Sequence, residues 1–455
     1  MTEDFSYRDP KLSIWQAAAA DVQRRRSSQQ GVAPQPLQSQ PLLAHTENPF
    51  MAPAHLVGQT LGKAGKPLEE LFRDVKTGIL KLKAKFDPLD DCATAAARFL
   101  KAEVDGDDTN SAIYAGQLQM GVCNVVGWAE CVSTYLGYKI LLQHPMYRPN
   151  KSPVIDLKGA SKLAIIGDWG TGLGQAKSVL EQVADMKPDI LLHLGDVYFA
   201  GTQAETQNNF LSICRSILGN ITVFSLCGNH DMYSGGEGYY SLLDQIGQQA
   251  SYFCLQNDDW MFLAMDTGFH DNNPFTISTN MTQLVTEGAW SETAWHLNQI
   301  NNAGNRKIVL LSHHQLFSPF SSVGSVNGEQ YAYNPNLYQI FAPILSKVEW
   351  WFWGHEHTLG IYGNYMGLKR GRCVGASAVP VFQDQQSYAT ANGLKTVDGT
   401  MPTWDEKGVL GVSAGAYNNC FAMLTLTGAS AEVRYYEVPQ GGGIRPLDVA
   451  DKTQP

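Results

Sequence analysis

Between Lys162 and Val438 the chain alternates two textures: short apolar runs rich in β-branched and aromatic residues, and longer intervals whose apolar positions recur at helical spacing. The first predicts buried strands and the second predicts helices packed on them, so the interval reads as α/β layers. Strands are expected at Leu163–Ile166, Ile190–Leu194, Ile221–Leu226, Lys307–Ser312 and Glu349–Trp353. Helices are expected at Ser178–Met186, Phe210–Leu218, Glu292–Asn301 and Leu337–Leu345. Two hairpins complete the pattern, Ser251–Leu255 with Trp260–Asp266 around Asn257-Asp258, and Phe421–Thr427 with Glu432–Val438 around Gly428-Ala429-Ser430.

Outside this interval the pattern changes. Residues 1–60 contain one short helical stretch, Leu12–Arg26, and then run rich in Gln, Ser and Pro, which buries too little apolar surface to offset the entropy of ordering. A flexible tail and linker is expected there, with Arg24-Arg25-Arg26 as a solvated helix end. Residues 61–150 are expected to form a mainly helical N-terminal domain. Leu68–Phe99 has helical spacing broken at Asp87-Pro88, and Ala112–Leu142 carries Gln117, Gln119, Asn124, Glu130 and Lys139. That polar content reads as a buried helix of a soluble domain rather than a membrane span. The main domain is placed at 160–438, and the Gly- and Pro-rich segment 439–455 is expected to be loose.

Composition narrows the partners. With 33 Lys and Arg against 43 Asp and Glu, the formal net charge is -10, which disfavours binding along a nucleic-acid strand. The eight cysteines show no CxxC spacing and several lie in apolar runs, which points to reduced, buried thiols. The opening MTEDFSYRDP has acids where a secretory leader carries a basic flank and an apolar core, so a cytoplasmic location is expected. A non-classical export route would leave no such trace. Oligomeric state is not legible.

The chemistry lies where the strands end. Five segments each follow a predicted strand: Gly167-Asp168-Trp169-Gly170, Gly195-Asp196-Val197-Tyr198, Gly228-Asn229-His230-Asp231, Ser312-His313-His314 and Gly354-His355-Glu356-His357. Ligands of α/β sheets gather beyond the carboxyl ends of strands, so the five loops can converge on one site. Carboxylates supply the charge that holds two cations close together, one carboxylate can bridge them, and imidazole and amide oxygen complete the shells. Each motif alone has an ordinary explanation, a helix cap or turn for Asp168, Asp196 and Asn229 and a sheet-edge histidine for His313 and His314. Together they make a metal site. His193, inside a strand, reads as a core histidine, Trp169, Trp351 and Trp353 as packing, and Glu356 as pointing away between two ligands.

The ordered set GDWG, GDVY, GNHD, SHH and GHEH resembles the calcineurin-like metallophosphoesterase superfamily, in motif style its purple acid phosphatase branch. The resemblance implies a four-layer α/β/β/α sandwich and two metal ions drawn from Fe, Mn, Zn or Mg. Asp168 and His357 would hold the first ion and Asn229, His313 and His355 the second, with Asp196 bridging. His230 would be the proton-donating or phosphate-contacting histidine, Asp231 its orienting carboxylate, and His314 a phosphate contact. The implied activity is hydrolysis of a small phosphorylated substrate by a metal-activated water, as a phosphomonoesterase. Phosphodiesterase and phosphoprotein phosphatase activities share these ligands, and a non-catalytic scaffold with a vestigial domain is the reading of another class. Specificity is expected in the loops Phe269–Thr286, Ser318–Asn336 and Val381–Thr403.

Two positions depart from the family's pattern. Gly170 stands where most members have a histidine ligand, and Phe199 stands where purple acid phosphatases have a tyrosine, with Tyr198 one residue earlier. Either Tyr198 reaches the first metal or no phenolate binds. A phenolate would favour an Fe(III)-containing pair, and its absence Mn, Fe(II), Mg or Zn.

Overall fold

The computed structural model describes residues 153–273, 281–288, 291–381, 383, 388–413 and 415–453, with single residues at 107, 110, 113, 114, 116, 135 and 145. The expectations for 1–60 and for the helices of 61–150 lie outside these, apart from the seven single positions. Among the described residues no helix is long and apolar enough to cross a membrane.

In chain order the strands are β1 (Val154–Asp156), β2 (Ala160–Ile166), β3 (Ile190–His193), β4 (Thr222–Ser225), β5 (Phe253–Gln256), β6 (Trp260–Ala264), β7 (Lys307–Leu311), β8 (Gly324–Val326) and β9 (Glu329–Tyr331). They continue with β10 (Val348–Trp353), β11 (Leu359–Ile361), β12 (Gly371–Val374), β13 (Val412–Ser413), β14 (Ala416–Tyr417), β15 (Asn419–Thr427), β16 (Ser430–Val438), β17 (Arg445–Pro446) and β18 (Asp451–Lys452). One seven-stranded sheet has the order β1-β5-β6-β7-β10-β12-β11, and the other runs β17-β16-β15-β2-β3-β4 with β18 also on β16. The pairs β2/β3 and β3/β4 are parallel in one sheet, and β6/β7, β7/β10 and β10/β12 in the other. Each group of carboxyl ends therefore points one way.

The inner faces of both sheets share one core, in which Leu163, Ile165, Leu192, Phe224 and Leu424 meet Phe262, Val309, Trp350, Phe352 and Val374. The outer face of the β7/β10 sheet packs on α-helices Glu292–Asn301 and Pro335–Phe341 through Ile300, Leu337 and Phe341. The outer face of the other packs on helices Gly174–Asp185 and Ser212–Leu218 through Val179, Leu180, Val183 and Ile213. The order is helix, sheet, sheet, helix. Strand β10 shows why its sequence is apolar throughout: Trp350 and Phe352 enter the inner core, while Trp351 and Trp353 alternate into the outer one.

The expected strands are present within a residue or two at most ends. The expected helix Phe210–Leu218 is the end of a π-helical turn, Thr206–Leu211, followed by α-helix. The expected helix Leu337–Leu345 is α-helical over Pro335–Phe341 and 3-10 beyond. The expectation of a loose tail from 439 is corrected. Strands β17 and β18 both pair with β16, and Asp451 is buried. Its carboxylate takes a 2.7 Å bond from the Arg372 guanidinium and a 3.0 Å bond from the Trp350 indole. A buried guanidinium requires a counter-charge, and the tail supplies it.

Candidate metal centre

The loops after β2, β3, β4, β7 and β10 deliver their side chains to one place. Asp168, Asp196 and His355 have positive φ, at 55°, 75° and 66°, among six non-glycine residues with that conformation in the described chain. Strained backbone of this kind survives where surrounding contacts fix it. Here the Asp168 amide donates to the Gly195 carbonyl, 3.1 Å, and the His355 amide to Asp168 Oδ2, 2.8 Å. The second contact joins the two sheets. Gly228 is required by proximity, because a Cβ there would fall 2.0 Å from Asp196 Oδ1.

Two groups of donor atoms result, sharing Asp196 Oδ2. In the first, the Tyr198 hydroxyl lies 3.2 Å from Asp168 Oδ1, 3.2 Å from Asp196 Oδ2 and 2.9 Å from His357 Nε2. His357 Nε2 is 3.5 Å from Asp168 Oδ1. In the second, His313 Nε2 lies 3.4 Å from Asp196 Oδ2, 3.0 Å from Asn229 Oδ1 and 3.2 Å from His355 Nδ1. His355 Nδ1 is 2.9 Å from Asn229 Oδ1.

Protons alone do not account for the second group. His313 Nδ1 is 2.9 Å from the Leu194 carbonyl, to which it donates, so in neutral imidazole Nε2 presents a lone pair. The Asn229 amide nitrogen donates to the Tyr233 hydroxyl, 2.6 Å, so its oxygen faces inward. Lone pairs of His313, Asn229 and Asp196 thus converge with His355 Nδ1. With metal–ligand bonds of about 2.1 Å, neighbouring donors lie about 3.0 Å apart in an octahedron and about 3.4 Å apart in a tetrahedron. The separations found here match those edges, so the donor set fits a cation in each group.

Electrostatics of the bare site differ between the two groups. Burial raises the Asp168 carboxyl to about 6 despite the opposing His357 hydrogen bond. Burial also pushes up Asp196, but His313, His230 and His355 together carry it below the ordinary carboxylate range. Burial holds the Tyr198 phenol well above its usual value. It lowers His313 to about 3, and burial with the neighbouring His314 and His313 holds His355 well below its usual value. Burial works against a charge on His357, but the hydrogen bond and charge of Asp168 raise it above its usual value. The neutral imidazoles and carboxylate that a cation takes are therefore already present in the second group, whereas the first must release protons to bind one.

Residues 161–359 match the family model described as calcineurin-like phosphoesterase. This segment belongs to that family. Among solved structures, the chain is similar to the purple acid phosphatase PPD1 from yellow lupin (Lupinus luteus) seeds, at 14% identity and a TM-score of 0.42, over 67% of this chain and 54% of that one. It thus spans about half the length of that phosphatase. It is also similar to GAP50, the anchor in the inner membrane complex of Plasmodium, at 12% identity and a TM-score of 0.39, over 64% of this chain and 90% of that one. A third likeness, to Vacuolar Protein Sorting 29 from Cryptosporidium parvum, has 13% identity and a TM-score of 0.31, over 64% and 100%. No curated protein matches the chain.

Within the phosphoesterase segment, the structure gathers Asp168, Asp196, Tyr198, Asn229, His313, His355 and His357 as ligand candidates. The Tyr198 hydroxyl sits in the first group. Gly170 has no room for the histidine that relatives carry, since a Cβ there would lie 2.8 Å from the Asp196 carbonyl oxygen.

Asp231 and His314 make contacts that the sequence did not indicate. The Asp231 carboxylate accepts the amides of Gly228, Asp196 and Val197 at 2.8, 3.0 and 3.1 Å, tying two of the loops together. The His230 ring is fixed by Nδ1 donating to the Phe199 carbonyl, 2.6 Å. His314 has both nitrogens engaged inside the protein, Nδ1 at 3.0 Å from Thr267 Oγ1 and Nε2 at 3.1 Å from Asp271 Oδ2. Thr267 and Asp271 carried no motif, so sequence reasoning passed over them. Glu356 points away, as expected, to the hydroxyls of Ser318 and Ser321, each 2.8 Å. His193 is buried against Ser225, and the Trp169 indole donates to the Ala176 carbonyl.

Proposed function

We propose that the protein is a metal-dependent phosphomonoesterase acting on a small substrate. The observation that carries this reading is the pair of donor groups joined through one oxygen of Asp196. When bound, two cations would polarise the phosphoryl group and lower the pKa of a water. Asp168, Tyr198 and His357 would hold one ion, and Asn229, His313 and His355 the other, with Asp196 between. His230, with Nδ1–H committed to Phe199, would exchange a proton with the leaving oxygen through Nε2. Asp231 holds the Asp196 and Asn229 loops in register through backbone amides.

Charge at this edge supports a small substrate. Among the described residues, the segments 167–173, 194–202, 226–236, 265–273, 281–288, 312–323 and 354–358 contain no Lys or Arg. Residues 375–411 contain Lys395 and Lys407, which are paired with Glu329 and Asp448. A nucleic-acid strand would find no row of cations there, whereas a single phosphate needs only the metals and histidines.

The test is metal analysis of the purified protein, then removal by chelator, reloading with Fe, Mn, Zn or Mg, and assay with p-nitrophenyl phosphate, its bis-ester and a phosphopeptide. Monoester turnover that disappears in Asp196→Ala together with the metal is expected. Preference for the bis-ester or the peptide would move the reading to a phosphodiesterase or phosphoprotein phosphatase. Two bound ions with no turnover of any ester would leave a non-catalytic scaffold.

A further inference from the structure

Thr267, Asp271 and His314 form a buried constellation that the reaction outlined above does not use. The Thr267 hydroxyl accepts the His314 amide, 3.1 Å, and lies 3.0 Å from Nδ1 of the same ring. Asp271 Oδ2 takes Nε2 at 3.1 Å, and the carboxylate is only 1% exposed. A hydroxyl that accepts the amide donates its own proton to Nδ1, which leaves Nε2–H for Asp271, so one tautomer satisfies every contact. The ring held in this way lies against both imidazoles of the second donor group. Its centroid is 4.5 Å from that of His355 at 40° and 4.8 Å from that of His313 at 88°. His313 has its own anchor at the Leu194 carbonyl, whereas the His355 ring meets the donor group itself through Nδ1 and packs its face on His314.

We propose that Asp271 and Thr267 are positioning residues for the second cation, acting through His314 to set the ring plane of His355. This inference rests on the metal-centre reading. It also gives the loop after β6 a function in the centre, although none of that loop's described residues is among the ligand candidates. Groups that orient metal ligands commonly alter affinity by about 10- to 100-fold when removed.

The variants are Asp271→Asn, Asp271→Ala and Thr267→Val, the first and third keeping side-chain volume so that the fold survives. Binding of Mn to the chelator-treated full chain is followed by calorimetry, with thermal melting of the metal-free forms as control. Thr267→Val and Asp271→Ala should weaken one of two ions by about tenfold or more and leave the other unchanged. Asp271→Asn, whose amide oxygen can still accept Nε2–H, should lie between them and the parent. Parental affinity for both ions in Thr267→Val and Asp271→Asn would overturn the proposal, as would equal loss of both ions. Unchanged binding with a raised KM would overturn it too, by placing Asp271 on the substrate. A parent chain that binds no pair of ions would instead defeat the metal-centre reading itself.

Discussion

Asp168 is a carboxylate that the fold holds at a cost, and Asp168→Asn should make that cost visible. In the bare protein burial raises this carboxyl from 3.8 to about 6. At about 1.4 kcal/mol per tenfold, the gap amounts to about 3 kcal/mol. The sign follows from where the proton sits. Below 3.8 folded and unfolded chains both hold it and the contribution is fully present; as pH rises through about 6 the folded chain must ionise a buried group and the contribution is lost. Asparagine keeps an oxygen for the His355 amide and can turn its nitrogen toward His357 Nε2, and it never ionises. Metal-free Asp168→Asn should therefore melt like the parent near pH 4 and above it at pH 7.5, by roughly 5 to 10 °C for about 3 kcal/mol. Groups that do not contact Asp168 cancel in the difference; His357, whose pKa the Asp168 carboxylate raises, does not, and losing that partner subtracts from the gain. Adding Mn should reverse the ranking at pH 7.5, because the parent gains a charged ligand and the variant does not. The assay is scanning fluorimetry of chelated and reloaded protein across that pH range. A metal-free variant that melts at or below the parent at pH 7.5 would refute the argument.

Tyr198→Phe should weaken the ion of the first group by about tenfold or more and remove any phenolate-to-iron(III) absorption from iron-loaded protein; an unchanged spectrum and metal content would remove Tyr198 from the ligand set. His230→Ala should leave metal content intact while lowering turnover by about 10²- to 10⁴-fold, and metal analysis beside steady-state kinetics would show the opposite if His230 were a ligand. Asp451→Ala should cost about 3 to 5 kcal/mol by leaving the buried Arg372 guanidinium without its counter-charge, read by urea unfolding; a loss under about 1 kcal/mol would mean that water replaces the carboxylate.

The sequence by itself determined the alternation of strands and helices and the five ligand-bearing turns, because those signals are local. A buried strand, a glycine and a polar residue after it are written within a few consecutive positions, as in Val348–Trp353 followed by Gly354-His355. Less regular stretches escaped. The helix Glu237–Ile246 follows Gly235-Gly236, and strands β11 and β12 are only three and four residues long, too short for a period to show. The resemblance implied a grouping of the donors, but only the tertiary structure decided which donor atoms lie within reach of one another, because that depends on the registration of two sheets. The His355 amide and Asp168 carboxylate are 187 positions apart, and His357 and the Tyr198 hydroxyl 159. The same holds for the contacts that the sequence did not indicate. Asp231 turned to backbone amides, His314 to Thr267 and Asp271, and the tail to Arg372, each because a buried polar group takes the nearest partner that packing offers. Proximity of that kind has no periodicity, and a chain shows it only once folded.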